Sequence, residues 1–212
     1  LLDKIEDEGI NKSKMMVLEA LTRLRQICDS PALLNTDDIQ ETQSIKIKEI
    51  IRHITNKTGD HKILIFSQFV KMLSLVKDEL DKINIDYEYL DGKSSVKQRE
   101  KSVNHFQDNN DLRVFLISLK AGGTGLNLTA ADYVYIIDPW WNPAVENQAI
   151  DRCYRIGQDK KVFAYRMICK NTVEEKIINL QNKKKKIAVD IIQTDENIMK
   201  KLDTNDIKEL FS

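Results

Sequence analysis

Two arginines, Arg152 and Arg155, stand in the segment Glu146 to Gln158, ENQAIDRCYRIGQ. If this segment is a helix from about Ala144, then Gln148, Arg152 and Arg155 fall at i, i+4 and i+7, on one face. Two guanidinium forks projecting together can grip a phosphate from two sides, or stabilise charge on a transferring γ-phosphoryl group. The same spacing also suits an ion-pair network on a solvated face, with Asp151 and Glu146 as partners. A second candidate, SLKAGGTGLNL from Ser118 to Leu128, directly follows the apolar run RVFLIS. Gly122, Gly123 and Gly125 let the backbone approach a phosphate closely, and Ser118 and Lys120 add a hydroxyl and a charge. The structural alternative is a tight strand-to-helix turn. As a dinucleotide fingerprint it is incomplete, since Gly123-Thr124-Gly125 begins the pattern but Leu128 replaces its third glycine. It is not a Walker A loop either, having no Gly-Lys-Thr or Gly-Lys-Ser within it.

Other groups have a functional and a structural reading. In YLDGKSSVKQREKSVNHF, Gly92 and the serines after it could bind a nucleic-acid phosphate at a helix N-terminus, whereas Arg99 could equally brace that helix and Phe106 reads as core. Trp140 and Trp141 lie between a strand end and Pro143, so at least one is expected to be exposed, for stacking or as a wedge; packing is the alternative. Asp7-Glu8-Gly9 has the look of an acidic box but no apolar strand precedes it. His53, His61 and His105 are scattered and expected at the surface. Lys183 to Lys186 reads as a solvated helix face or a phosphate contact.

The elements that must position these groups follow from periodicity. Val17, Leu21, Leu24 and Cys28 recur at helical spacing and Pro31 closes the segment, giving a helix over 13–28. After the polar linker NTDDIQETQS comes a helix near 45–57, then KILIFS, a continuous apolar run suited to a strand buried on both faces. Phe69, Met72, Leu73, Val76 and Leu80 make one helical face, IDYEYL alternates like a strand, and SSVKQREKSVNHF opens with capping serines. RVFLIS, YVYIID and VFAYRMI supply three more strands, and from Thr172 a helix carries Val173, Ile177, Leu180, Ile187 and Ile191. Five strands alternating with helices imply an α/β fold with a parallel, doubly wound sheet.

Composition sets the bounds. A chain of 212 residues with 42% apolar content builds one well-packed domain with appendages. Lys plus Arg and Asp plus Glu number 33 each, so any surface for a polyanion must be local. Cys28, Cys153 and Cys169 form no CxxC pair, which predicts reduced thiols in a cytosolic or nuclear setting and no zinc site. No apolar run approaches the roughly 18 residues of a membrane span, so no membrane partner is expected. The first residues, LLDKIEDEGINKSK, are unlike a signal peptide, and the absence of an initial Met points to a segment of a longer chain.

Taken together and in this order, LTRLRQICDSPALL, ILIFSQF, DGKSSVKQR, SLKAGGTGLNLTAADYVYIIDPWWNP and QAIDRCYRIGQ resemble the second, C-terminal RecA-like lobe of the Swi/Snf-type ATPases, DNA translocases within superfamily 2 of the helicases. The resemblance covers residues 15 to 192, and WWNP is similar to the bacterial and archaeal branch. It implies a RecA-like lobe at 45–171, an inter-lobe segment and linker at 1–44, and a brace helix and tail at 172–212. It implies that ATP and Mg2+ are bound mainly by a first lobe outside this sequence. This lobe then adds Arg152 and Arg155 as arginine fingers, Gln148 as a positioning group, and Gly123, Gly125 and Asn127 near the nucleotide. Ser67, Gln68, Gly92, Lys93, Ser118, Lys120 and Trp141 would face one strand of duplex DNA. The implied partners are double-stranded DNA and lobe 1 of the same polypeptide; the fragment is expected to be a monomer with no metal ligands of its own. The implied location is intracellular, in the bacterial or archaeal cytoplasm or a eukaryotic nucleus. The pattern departs at Tyr154, where the family commonly has His.

Two further readings stay open at this point. One is a non-catalytic module that binds DNA or a protein. The other is a Rossmann-type cofactor enzyme, which lacks both the third glycine and an acidic ribose partner at the usual spacing of about twenty residues.

Overall fold

The computed structural model describes residues 10–34, 44–122, 126–154, 158–184 and 203–211. Helix α1 (Ile10–Asp29) buries Val17 and Leu21, as the spacing predicts, but leaves Leu24 at the surface and turns Arg25 inward instead. A 3-10 turn at Pro31–Leu34 ends it. Helix α2 (Ile45–Asn56) starts at Ser44, whose side chain accepts from the Ile47 amide, the arrangement that stabilises a first turn. Strand β1 (Ile63–Ser67) is buried at every position. Helix α3 (Val70–Lys82) buries Met72, Leu73, Val76 and Leu80, the predicted stripe. Strand β2 (Tyr87–Leu90) leads to helix α4 (Val96–Asp108), which opens on a complete capping box between Ser95 and Gln98. Strand β3 (Val114–Ser118), the single-turn helix α5 (Leu119–Gly122), strand β4 (Tyr133–Ile136), helix α6 (Pro143–Ile150) and strand β5 (Phe163–Arg166) follow, then helices α7 (Val173–Lys184) and α8 (Thr204–Phe211).

All five predicted strands join one sheet, every pairing parallel, in the order β2-β3-β1-β4-β5. Alternation along β1 divides the core: Leu64 and Phe66 face one side with Phe106, Phe115 and Ala149, while Ile63 and Ile65 face the other with Ile50, Met72 and Val76. β1 therefore hands the chain to a helix on one face of the sheet, whereas its neighbours β3 and β4 hand it to helices on the other. Where connections leave adjacent strands in opposite directions, a crevice opens at their carboxyl ends, the usual ligand position of a doubly wound sheet. A third core, formed by Val17 and Leu21 of α1, Trp141, Val173, Ile177 and Leu180 of α7, and Ile207 and Leu210 of α8, joins the extensions to that end of the sheet. Ile187 and Ile191 of the predicted stripe, and Asp7-Glu8-Gly9, lie outside the described residues.

His53 is a correction. It is buried on α2, where Nδ1 meets the Tyr135 hydroxyl at 2.8 Å and burial pushes its pKa below the usual value. The helical stripe places it inward; spacing between histidines alone could not. His61 and His105 are on the surface, each beside a carboxylate, Asp132 and Glu88 respectively.

Candidate functional site at the carboxyl edge

The crevice between β1 and β4 is lined by the groups that directly follow those strands. Asp138 is fully buried, and its carboxylate accepts from the Ser67 hydroxyl and from the Gln68 amide at 3.0 Å. Burial pushes its pKa above the usual carboxylate range, while the Arg25 guanidinium and those hydrogen bonds pull it back. Ser67 also accepts from the Phe69 amide at 3.0 Å, so its hydroxyl is engaged on both sides. Ser118, at the end of β3, is equally buried and accepts from the Ala121 amide at 3.3 Å. The two serines read from sequence as DNA-facing therefore sit with inward side chains and fix the turns that follow them. Gln68 is half-buried, and with its amide turned so that the oxygen faces Arg25 it accepts from Nη1 at 3.0 Å.

The loop after β4 is where the sequence reading needs most revision. Neither tryptophan is exposed. Trp141 is 6% exposed within the third core, and Trp140 is half-buried between that core and the sheet. The apolar faces of α1 and α7 meet this loop, which explains why both indoles find cover. Gln181 reaches from α7 and donates to the Trp141 carbonyl at 3.2 Å. Asn142 caps α6 by accepting from the Ala144 amide at 3.0 Å, with Pro143 in the first turn. Glu146 is not on a solvated face: it is 0% exposed, accepts from the Trp140 amide at 2.6 Å and pairs with Arg166 on β5. Burial raises its pKa, with Arg166 opposing.

Helix α6 ends at Ile150, sooner than the i, i+4, i+7 reading requires. The chain then tightens into turns in which the Arg152 amide bonds Ala149 at 3.3 Å and the Cys153 amide bonds Ile150 at 3.0 Å. The helical wheel consequently fails here: Gln148 is exposed while Arg152 is only 5% exposed. The Arg152 carbonyl accepts from the Leu128 amide at 3.1 Å, tying this turn to the segment after the glycines. Gln158 strengthens the tie by donating to the carbonyls of Ala131 at 2.9 Å and Thr129 at 3.0 Å. Tyr154 is 59% exposed. Asn127 is exposed beside Leu126. Arg155, Gly123 and Gly125 lie outside the described residues, and of Lys120 only the backbone, on α5, is described.

Gly92 and Lys93 are exposed in the turn before α4, and a Cβ on Gly92 would meet open space. Asp91 holds this turn by accepting from the Lys93 amide at 2.8 Å, and Arg99 donates to the Ser94 carbonyl at 3.0 Å. Gly92-Lys93-Ser94 spells the end of a Walker A loop, but Tyr87 stands where its first glycine belongs. Among the described residues no three His, Cys, Asp or Glu side chains gather as a metal site. No helix among the described residues is long and apolar enough to cross a membrane.

A five-stranded parallel sheet with its polar crevice at the carboxyl edge defines an α/β, RecA-like lobe. Residues 45–157 match the family described as the helicase conserved C-terminal domain, and the chain belongs to that family, in its Swi/Snf-type form. It is 41% identical over 204 residues to the putative ATP-dependent helicase/translocase YwqA of Bacillus subtilis, covering 94% of this chain and 22% of the relative. It is 44% identical over 172 residues to the DNA repair protein rad5 of Neurospora crassa, covering 80% of this chain and 14% of that protein. Among solved structures, the Sulfolobus solfataricus SWI2/SNF2 ATPase core in complex with dsDNA superposes with a TM-score of 0.76 at 34% identity, over 99% of this chain and 46% of that one. The chain thus spans about a fifth or less of the length of these two curated relatives.

Proposed function

We propose that this chain is the second motor lobe of an ATP-dependent double-stranded DNA translocase of the Swi/Snf type. The observation that carries the reading is the match over 99% of the chain to an ATPase core whose structure includes dsDNA, supported by relatives named as ATP-dependent helicases. In this reading ATP and Mg2+ are held mainly by a first lobe, and this chain brings Arg152 and Arg155 to the cleft. A guanidinium held in a fixed, largely desolvated position stabilises developing negative charge more strongly than one in water and needs no reorganisation during the reaction. The turn at Arg152 fits that role: its backbone is pinned to α6 and to Leu128, so the side chain leaves a rigid support. Gln148 and Asn127, both exposed, are available to nucleotide across the cleft.

Exposed Gly92 and Lys93 meet the backbone of duplex DNA in this reading. Ser67, Ser118 and Trp141 act behind that surface, shaping the turns, while Gln68 lies between the two roles. Phosphate contacts of this kind give sequence-independent, salt-sensitive binding, as a motor stepping along any sequence requires. In this reading residues 172–212, beginning with α7, are the brace, and α1, within the inter-lobe segment 1–44, packs against it in the third core.

The test is DNA-stimulated ATP turnover by the full-length protein. Arg152→Ala is expected to lower it by about a thousandfold or more, with duplex binding retained. A non-catalytic binding module predicts unchanged turnover in that variant. The 212-residue chain alone is expected to hydrolyse essentially no ATP; robust DNA-stimulated hydrolysis by it would overturn the division of labour between lobes.

A further inference from the structure

Arg25 lies on the apolar stripe of α1, four residues after Leu21, yet it is only 2% exposed and among the largest fully buried side chains. Burying a guanidinium is costly unless its donors are used. Here the two Nη groups are spent on the loops that leave the sheet, while Nε has no hydrogen-bond partner among the described residues. Nη2 donates to the Pro139 carbonyl at 2.5 Å, and with the Gln68 amide turned so that its oxygen faces the guanidinium, Nη1 donates to that oxygen at 3.0 Å. The flat group lies between the Phe69 ring at 5.7 Å and the Trp141 ring at 5.8 Å. Its charge also faces Asp138, the carboxylate that holds Ser67 and the Gln68 amide. One side chain therefore links α1, the end of β1 and the end of β4. From Pro139 the link continues rigidly: Trp140 is bound by Glu146 and Asn142 caps α6, whose following turn carries Arg152.

We infer that Arg25 is a positioning residue that couples the turn after β1 and the loop after β4 to the Arg152 turn, so that occupancy of the DNA-facing edge sets the alignment of the finger. The inference rests on the motor-lobe reading. Lysine cannot replace it, because a point-like ammonium neither forms a planar fork nor stacks between two aromatic rings. Arg25 touches neither ATP nor DNA in this account, so its loss acts on coupling and leaves both bindings in place.

The experiment uses the full-length protein, with Arg25→Lys and Arg25→Met, and measures ATP turnover with and without saturating duplex DNA, KM for ATP, duplex affinity and melting temperature. Expected is a fall of about tenfold or more in DNA-stimulated kcat for Arg25→Met, with about fivefold still lost in Arg25→Lys, because small misplacements of a catalytic group are expensive. The rate without DNA, KM and duplex affinity should stay within about threefold, less than the loss a misaligned group causes. An unchanged stimulated rate overturns the inference. So does an equal fall of basal and stimulated rates alongside a lower melting temperature, which marks a purely structural role. If Arg25→Met fails to fold, the charge-preserving Arg25→Lys decides between the same outcomes. A wild-type protein with no DNA stimulation sinks the motor reading itself, a result distinct from failure of the Arg25 variants alone.

Discussion

The two ends of the sheet bury charge for different purposes. At the amino end, Lys62 is 6% exposed and donates to the carbonyls of Phe106, Gln107 at 3.3 Å and Asn109 at 2.9 Å, satisfying the last carbonyls of α4. One cation there closes one helix. At the carboxyl end, Arg25, Lys46, Asp138 and Glu146 are all buried, and their partners belong to different elements. Lys46 of α2 alone reaches Asp29 at 2.7 Å, the Ile137 carbonyl at 2.8 Å and Glu174 of α7 at 2.5 Å. A buried ion pair contributes little net stability relative to apolar packing, but removing one member is severe. The carboxyl end thus uses an expensive kind of contact to hold three separate segments in one arrangement, while at the amino end Lys62 closes a single helix and buried Asp132 pairs with His61 at the surface.

The sharpest way to break the comparison is Glu174→Gln. It takes one of its two carboxylates from Lys46, leaving Asp29 and the Ile137 carbonyl, and weakens the acceptor of the Cys169 amide, which is 2.9 Å from Glu174, so a loss of about 3 kcal/mol is expected in urea denaturation. A loss no larger than that of a surface variant would mean the triad is not a fastening. Lys62→Met tests the other end. It should cost about 1–2 kcal/mol by uncapping α4, while DNA-stimulated turnover of the full-length protein stays at the wild-type level. A collapse of turnover would show that the two ends are not separate.

The last test is one of pH. Burial, reinforced by the nearby Asp138 carboxylate, raises Asp29 from 3.8 to about 8. The folded chain then binds this proton more tightly than the unfolded chain, so the stability it contributes is complete below the ordinary value of 3.8 and is lost as pH rises toward about 8. A proton on Asp29 also leaves Lys46 and Glu174 as a neutral pair. The melting temperature of the wild type should therefore fall between pH 6 and 9 more steeply than that of Asp29→Asn, a range bracketing the raised value. Parallel curves would place Asp29 among ordinary carboxylates.

Much of the fold was legible because its signals are local. β1 reads as a buried strand since every residue in it is apolar or small, and α4 begins where Ser95 and Gln98 can cap each other. The stripe Met72, Leu73, Val76 and Leu80 is readable for the same reason. At the site, local patterns misled. The helical wheel that grouped Gln148 with Arg152 presumes a helix that continues, and α6 stops at Ile150. Glu146 looked like a surface partner for the arginines, but its partners are the Trp140 amide and Arg166. Arg25 carried a faint signal, a charge on an apolar stripe, and only an interior of polar loop ends makes that position tolerable.

The sequence by itself determined the five strands, most of the helices and the family to which the lobe belongs, because hydrophobic period and caps act over a few residues. Tertiary structure alone decided which polar groups face inward. Arg25 and Pro139 are 114 residues apart in the chain, and Lys46 and Glu174 128. No periodicity spans such distances; desolvation after packing chooses the partners, since a buried charge must find one wherever the fold brings it.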